Sequence, residues 1–338
     1  MVQKGNPLFL KKCYFYYFCS KPVELYMFIP KIIKTLYAIQ LWRGLLFFCS
    51  RLLLLMTIFS ENSVAQPENN NYPVQFSLFI YSYPLVNPAS MGERSGNEVL
   101  LGYQKPVSGF SGVSTYFCNI SFIPYRIKPS SKNKSVTGLR FYNDIEGAYI
   151  NRSRFYGVYS FHTAINNRLN FSGGIDFGGM NFSVKSTPTT EGASVFRADA
   201  SAGVWLYNSS FHVGLSLSQL LNSVLKPLEE KTNLPAHFNL SGSVTLYSNE
   251  NVVITPHILF TFPYYDNVSM RACLQGLLFK RIITAAGWNR KTNVSFMLGV
   301  NELQVFGNGL NVVVSYATPV GKSTVSINQW EFSIAYRM

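Results

Sequence analysis

The run Gln329-Trp330-Glu331-Phe332-Ser333-Ile334-Ala335-Tyr336-Arg337-Met338 decides the fold. Trp330, Phe332, Ile334, Tyr336 and Met338 share one parity, and Gln329, Glu331, Ser333, Ala335 and Arg337 share the other. Successive side chains of a strand point to opposite faces, so this segment is a strand with one apolar and one mostly polar face. Working back along the chain, Leu310, Val312, Val314 and Tyr316 alternate with Asn311, Val313, Ser315 and Ala317. Val294, Phe296, Leu298 and Val300 alternate with Asn293, Ser295, Met297 and Gly299, and Phe211, Val213, Leu215 and Leu217 with His212, Gly214, Ser216 and Ser218. The inner residues are small or weakly polar rather than the Lys, Glu and Thr of a water-facing sheet. Only 13% of the chain is charged, against roughly 25% in soluble proteins. A greasy outer face over a small, polar inner face is the pattern of a transmembrane antiparallel β-barrel. A soluble β-sandwich also alternates and is the competing arrangement. On the barrel reading, a charge at Phe332 opposes insertion by about 2–4 kcal/mol near the midplane, while the same charge at Ser333 is tolerated.

Turn signals divide the chain after residue 96 into about fourteen such segments, each near the 9–11 residues a tilted barrel strand needs. They begin near Asn97, Gly112, Lys134, Arg152, Arg168, Ser194, Ser210, Ala236, Val252, Asn267, Arg281, Asn293, Gly309 and Asn328. An even strand count returns both ends of the barrel to one side, taken as periplasmic. The short connections, such as Ala164–Asn167, Asn208–Ser209 and Ser248–Asn251, then fall on that side, and the longer Ser186–Ala193, Leu220–Pro235 and Thr318–Ile327 fall outside. Leu220–Lys231 reads as a short helical turn within the longest loop. The organisation expected is a signal peptide at 1–65, an N-terminal periplasmic or plug segment at 66–96 and an outer-membrane β-barrel at 97–338.

The signal peptide is read from Leu52–Phe59, an apolar run too short to span a bilayer as a helix. Lys31, Lys34, Arg43 and Arg51 precede it, and Ser63-Val64-Ala65 supplies small residues at the two positions read for cleavage after Ala65. Met27 is an alternative start, with the residues before it outside the true gene. The net charge of the whole chain is +13, from 29 basic and 16 acidic residues. Residues 1–65 hold eight Lys or Arg against two Asp or Glu, so six of those charges belong to targeting and +7 remains. No basic run with interleaved aromatics survives beyond residue 65, so no nucleic-acid partner is expected. Cys118 and Cys273 remain outside the signal segment and fall on opposite faces by parity, which argues against a disulfide between them.

The chain holds little that reads as chemistry. Gly173-Gly174 and Gly178-Gly179 lack the Lys-Ser/Thr and the helix of a phosphate loop, and glycines inside a barrel strand mark a bend or a close luminal approach. His162, His212, His237 and His257 stand one per segment, without metal-ligand spacing. No Gly-x-Ser-x-Gly elbow occurs. The expectation is no catalytic residue, no cofactor and no metal. Arg197, Asp199, Arg271, Glu331 and Arg337 fall on the polar face and are expected to form a charged lumen, since a charge facing lipid is costly.

Gln75-Phe76-Ser77 followed by Asn87-Pro88-Ala89-Ser90-Met91-Gly92 resembles the opening of the PorP/SprF family, outer-membrane proteins of the type IX secretion system in Bacteroidetes. Leu101-Gly102-Tyr103-Gln104 with Gly109-Phe110-Ser111-Gly112 looks like that family's first hairpin. Gly138-Leu139 with Asn143, Asp144 and Gly147 resembles its third-strand element, and Glu331–Arg337 its closing strand. The resemblance covers residues 74–338. Ser90-Met91 departs from the usual aromatic-small pair, and Met338 stands where family chains usually close on an aromatic. The resemblance implies a non-enzymatic barrel in outer-membrane lipid that works with the periplasmic ring subunits of the type IX apparatus. In gliding species it implies a role in exporting large surface adhesins or other cargo. A general porin or solute channel is the alternative.

Overall fold

The computed structural model describes residues 76–94, 97–107, 112–124, 133–188, 191–225, 232–233, 236–263, 268–289, 293–320 and 328–338. The signal-peptide segment 1–65, with Leu52–Phe59, Ala65 and the alternative start Met27, lies outside these residues, as do Gln75, Gly109 and Phe110.

Fourteen long strands form one antiparallel sheet. They are β1 (Glu98–Pro106), β2 (Ser114–Phe122), β3 (Lys134–Glu146), β4 (Ile150–Ala164), β5 (Asn170–Val184), β6 (Ala193–Tyr207) and β7 (Phe211–Ser218). There follow β8 (His237–Val244), β9 (Val252–Pro263), β10 (Ser269–Leu278), β11 (Ile282–Asn289), β12 (Asn293–Val305), β13 (Asn308–Pro319) and β14 (Gln329–Arg337). Each pairs with its sequence neighbour. β1 pairs with β14 through Tyr103 opposite Phe332, so the sheet closes into a barrel. Closure leaves no long open edge, the arrangement lipid demands of backbone N–H and C=O groups. The sequence alternation locates every strand start to within a few residues.

The alternation also reads out in exposure. Phe177 is 66% and Leu298 62% exposed on the outer face, whereas Glu331 is 1% and Trp205 0% exposed on the inner. Cys118 and Cys273 are both free, and Cys273 is buried on the inner side. Phe279 and Lys280 both have positive φ, 51° and 56°, and are the two central residues of the turn that joins β10 to β11, closed by the Arg281 N–H on the Leu278 carbonyl at 2.9 Å. That is the geometry whose twist suits a tight hairpin.

One expectation fails. Leu220–Lys231 is not a helical turn in its described part. Val224–Leu225 pairs with Thr232–Asn233 as a short ribbon beside the barrel mouth. The cross-strand pairing of these two short segments outweighs a local pattern too short to nucleate a helix.

Candidate functional site

The interior is not an open lumen. Residues 76–94 enter the barrel as short turns, Phe79–Tyr81, Tyr83–Val86 and Pro88–Ser90, and most of their side chains are buried. Pro84 stands at the second and Pro88 at the first position of its turn, where no N–H is needed. Asn87 caps the last turn, its Oδ1 accepting the Ala89 N–H at 3.0 Å.

The wall holds this plug largely by its backbone. The Glu331 carboxylate accepts the N–H of Ser77 at 2.7 Å and of Leu78 at 2.8 Å. Arg140 donates to the carbonyls of Pro84 and Leu85 at 3.1 and 3.2 Å, and is itself fixed by Asp176 at 2.6 Å. Ser216 donates to the Val86 carbonyl at 2.8 Å and Ser172 to that of Ala89 at 2.6 Å. Ser160 donates to the Met91 carbonyl at 2.9 Å, and Lys134 to that of Gly92. Turning the other way, the Asn87 amide donates to the carbonyls of Val204 and Leu215.

Histidines complete the grip in a defined tautomer. His162 Nε2 lies 2.8 Å from the Met91 carbonyl, which can only accept, so Nε2 carries the proton and Nδ1 accepts the Tyr207 hydroxyl at 2.9 Å. A second chain runs from the Tyr83 hydroxyl to His257 Nδ1 at 3.0 Å. It continues from His257 Nε2 to Gln275 at 3.0 Å and from Gln275 to the Tyr81 oxygen at 2.9 Å. Burial pushes the Tyr81 and Tyr83 phenols above their ordinary range, so both stay protonated, Tyr81 accepting from the Gln275 amide. Burial also raises the Glu93 carboxyl, against the opposing charge of Arg94; His212 lies 3.9 Å away.

Close approach is bought by missing side chains. A Cβ at Gly174 would lie 2.6 Å from Ala89 Cα, and one at Gly203 would run into the Asn87 side chain. This is the luminal contact expected for a glycine inside a barrel strand. Gly92, near the end of the plug, has φ +82°, where a side chain would be strained.

The residues singled out from sequence separate into groups. Phe76 packs edge-on against Phe117 at 4.6 Å and Tyr142 at 5.9 Å. With Asn87, Pro88, Ala89 and Gly92 it belongs to the plug. Gly112, Asn143 and Asp144 lie apart, at the loop end, where Asp144 accepts the Thr115 hydroxyl at 2.9 Å and Asn143 that of Ser153 at 2.6 Å. Of the luminal charges, Glu331 and Arg271 both meet the start of the plug, Arg271 reaching the Phe76 carbonyl at 3.4 Å. Asp199 accepts the Tyr156 hydroxyl at 2.8 Å, and Arg337 pairs with Glu98 at 2.8 Å near the opposite end. Arg197 has the inward parity but is exposed, bonded to the Val224 carbonyl. Its part of β6 extends past the packed lumen, since that strand has 15 residues where about 9–11 cross the bilayer. Arg140, Arg152, Arg154, Asp176 and the serines of the grip were not singled out, because one luminal Ser or Arg looks like another until its partner is known. Among the described residues no group of His, Cys, Asp and Glu could hold a metal ion.

The family model of the type IX secretion system membrane protein PorP/SprF matches residues 68–336. No curated protein matches. Among solved structures, the Ralstonia pickettii toluene transporter TbuX is similar with a TM-score of 0.51 and 10% identity, over 76% of this chain and 92% of that one. The CymD monoaromatic hydrocarbon channel is similar with a TM-score of 0.50 and 10% identity, again over 76% and 92%. At such identity the likeness is one of fold.

Proposed function

This chain belongs to the PorP/SprF family of type IX secretion system membrane proteins, and from that membership we propose that it is a non-enzymatic barrel serving export or surface anchoring of large proteins. As an outer-membrane member of that system, it has its partners within that machinery. The observation that carries the reading is the filled lumen. Residues 76–94 occupy the interior and are hydrogen-bonded to the wall from β3 to β14. A solute would have to displace them, whereas a scaffold for protein partners works with the barrel closed. The partners inferred are the periplasmic ring subunits on the side of the short turns and an adhesin or other cargo protein on the side of the long loops, with gliding motility as the output where the species glides.

Deleting the gene is expected to remove one or more large proteins from the outer surface or the medium while growth on small nutrients stays normal. Unchanged surface and secreted proteomes with reduced uptake of a solute would instead favour the porin reading. Capture of the tagged protein from its native envelope, followed by mass spectrometry, identifies the contacts.

A further inference from the structure

On the loop side of the plug lies a cavity of about 90 Å³, walled by plug residues Phe76 and Phe79 and by strands β3, β4 and β6 to β10. One water needs about 10–15 Å³ on this measure, so the space suits a small organic molecule. Three guanidinium groups line it, Arg140, Arg154 and Arg271, with one carboxylate, Asp199. Asp199 is satisfied by the Tyr156 hydroxyl and the Ala200 N–H, both at 2.8 Å. Arg140 is neutralised by Asp176 at 2.6 Å.

Arg154 is different. It is 7% exposed, its Nε points at Met180 Sδ 3.0 Å away, and its guanidinium lies over the Tyr142 ring at 5.5 Å. Among the described residues no carboxylate pairs with it. Arg271 has Glu331 nearby and donates from one terminal nitrogen to the Phe76 carbonyl, but its Nε is buried without an acceptor. A buried cation without a partner is costly, and a planar guanidinium is the side chain best shaped to grip a carboxylate. Phe76 and Phe79 give the same space an apolar wall.

We infer that this cavity binds a small monocarboxylate, its carboxylate held by Arg154 and Arg271 and its apolar body set against Phe76 and Phe79. The inference stands on the cavity and does not depend on the secretion reading.

The test uses the full chain, purified in detergent and checked for folding by heat-modifiable gel mobility, with hexanoate as the probe. Calorimetric titration is expected to show saturable binding with a Kd of about 1 mM or tighter. The neutral isostere hexanamide should bind at least tenfold more weakly. Arg154→Gln should lose at least tenfold, Arg154→Lys should recover part of the loss, and Arg197→Gln, outside the cavity, should change nothing. Absence of saturable binding by the folded wild-type protein overturns the inference. Equal affinity for hexanamide, or an unchanged Kd in folded Arg154→Gln, overturns it too.

Discussion

The two sides of the lumen hold the plug by different physics. From β3 to β7 the wall presents Arg140, Ser160, Ser172 and Ser216, and each bonds a main-chain carbonyl of the plug. From β9 to β13 it presents Leu259, Cys273, Ile283, Met297 and Val313, which join Leu78, Phe79, Ile80 and Tyr81 in one buried cluster. Dispersion contacts fill space but are indifferent to small slides, whereas a hydrogen bond to a particular carbonyl fixes register. The first side therefore sets where the plug sits, and the second adds apolar burial around Leu78–Tyr81. His257, Gln275 and Arg271 add polar contacts on that side, and the exception in kind is Glu331 of the adjoining β14, a carboxylate that pins the plug amides of Ser77 and Leu78.

The largest effect is expected at that exception. Glu331→Ala leaves two amides without their acceptor and Arg271 without its nearby carboxylate, at a cost of about 3–5 kcal/mol. Hydrogen exchange at Ser77–Tyr81 should accelerate while the strand amides stay protected; unchanged protection there would assign the anchor to the apolar cluster instead. Leu78→Ala removes a fully buried side chain and should cost about 2–5 kcal/mol. It is expected to loosen the apolar side alone, leaving the carbonyls of Val86 and Ala89 engaged, which amide-I infrared spectra with isotope labels at those positions would report. Gly174→Ala pushes a methyl toward Pro88 and Ala89 and should cost about 1–3 kcal/mol. The expected reading is faster protease cleavage within residues 84–94, and no change would mean the plug can slide after all. Ser172→Ala removes one hydrogen bond and should cost about 1 kcal/mol, visible as a small rise in exchange at neighbouring plug amides.

The smallest effect concerns pH. The Glu93 carboxyl is raised by burial, with Arg94, Lys134, His212 and Glu98 around it. A carboxyl raised in the seated state binds more protons there than when released, so seating is favoured at low pH and the advantage is lost as pH rises through the raised value. Plug exchange, corrected for its intrinsic pH dependence, should slow on going from pH 7 toward 5, and Glu93→Gln should flatten the trend.

Much of the barrel was legible because lipid imposes a strict period of two on every strand. Lys134, Val252 and Asn293 mark strand starts both in the sequence and in the structure. The state of the interior was not legible. Parity places Ser333 inward but does not say whether the inner face meets water or protein. Ser333 is 3% exposed, so a charge there would be buried against packed groups, and the tolerance expected for a hydrated lumen does not hold. The grip was hidden for a related reason. Ser172 and Ala89, or Glu331 and Ser77, lie far apart in the chain, and nothing local in either marks the other. Four histidines that stand singly in sequence behave differently in space, since His212 and His257 come within 6.0 Å of each other beside Tyr83. One signal did point inward: the Gly173-Gly174 pair, read as a bend or a close luminal approach, lies where Ala89 meets Gly174.

The seam between β1 and β14 has a consequence for biogenesis. The plug precedes every strand in the chain, and the strand that carries its Glu331 anchor follows all the others. A plug that already lies within the curling sheet when β14 arrives meets its wall partners directly, whereas afterwards its backbone has to enter through a barrel mouth. Zipping β14 onto β1 and capping the Ser77 and Leu78 amides thus become a single concluding event of assembly, and a barrel halted just short of it would be both unsealed and unlatched.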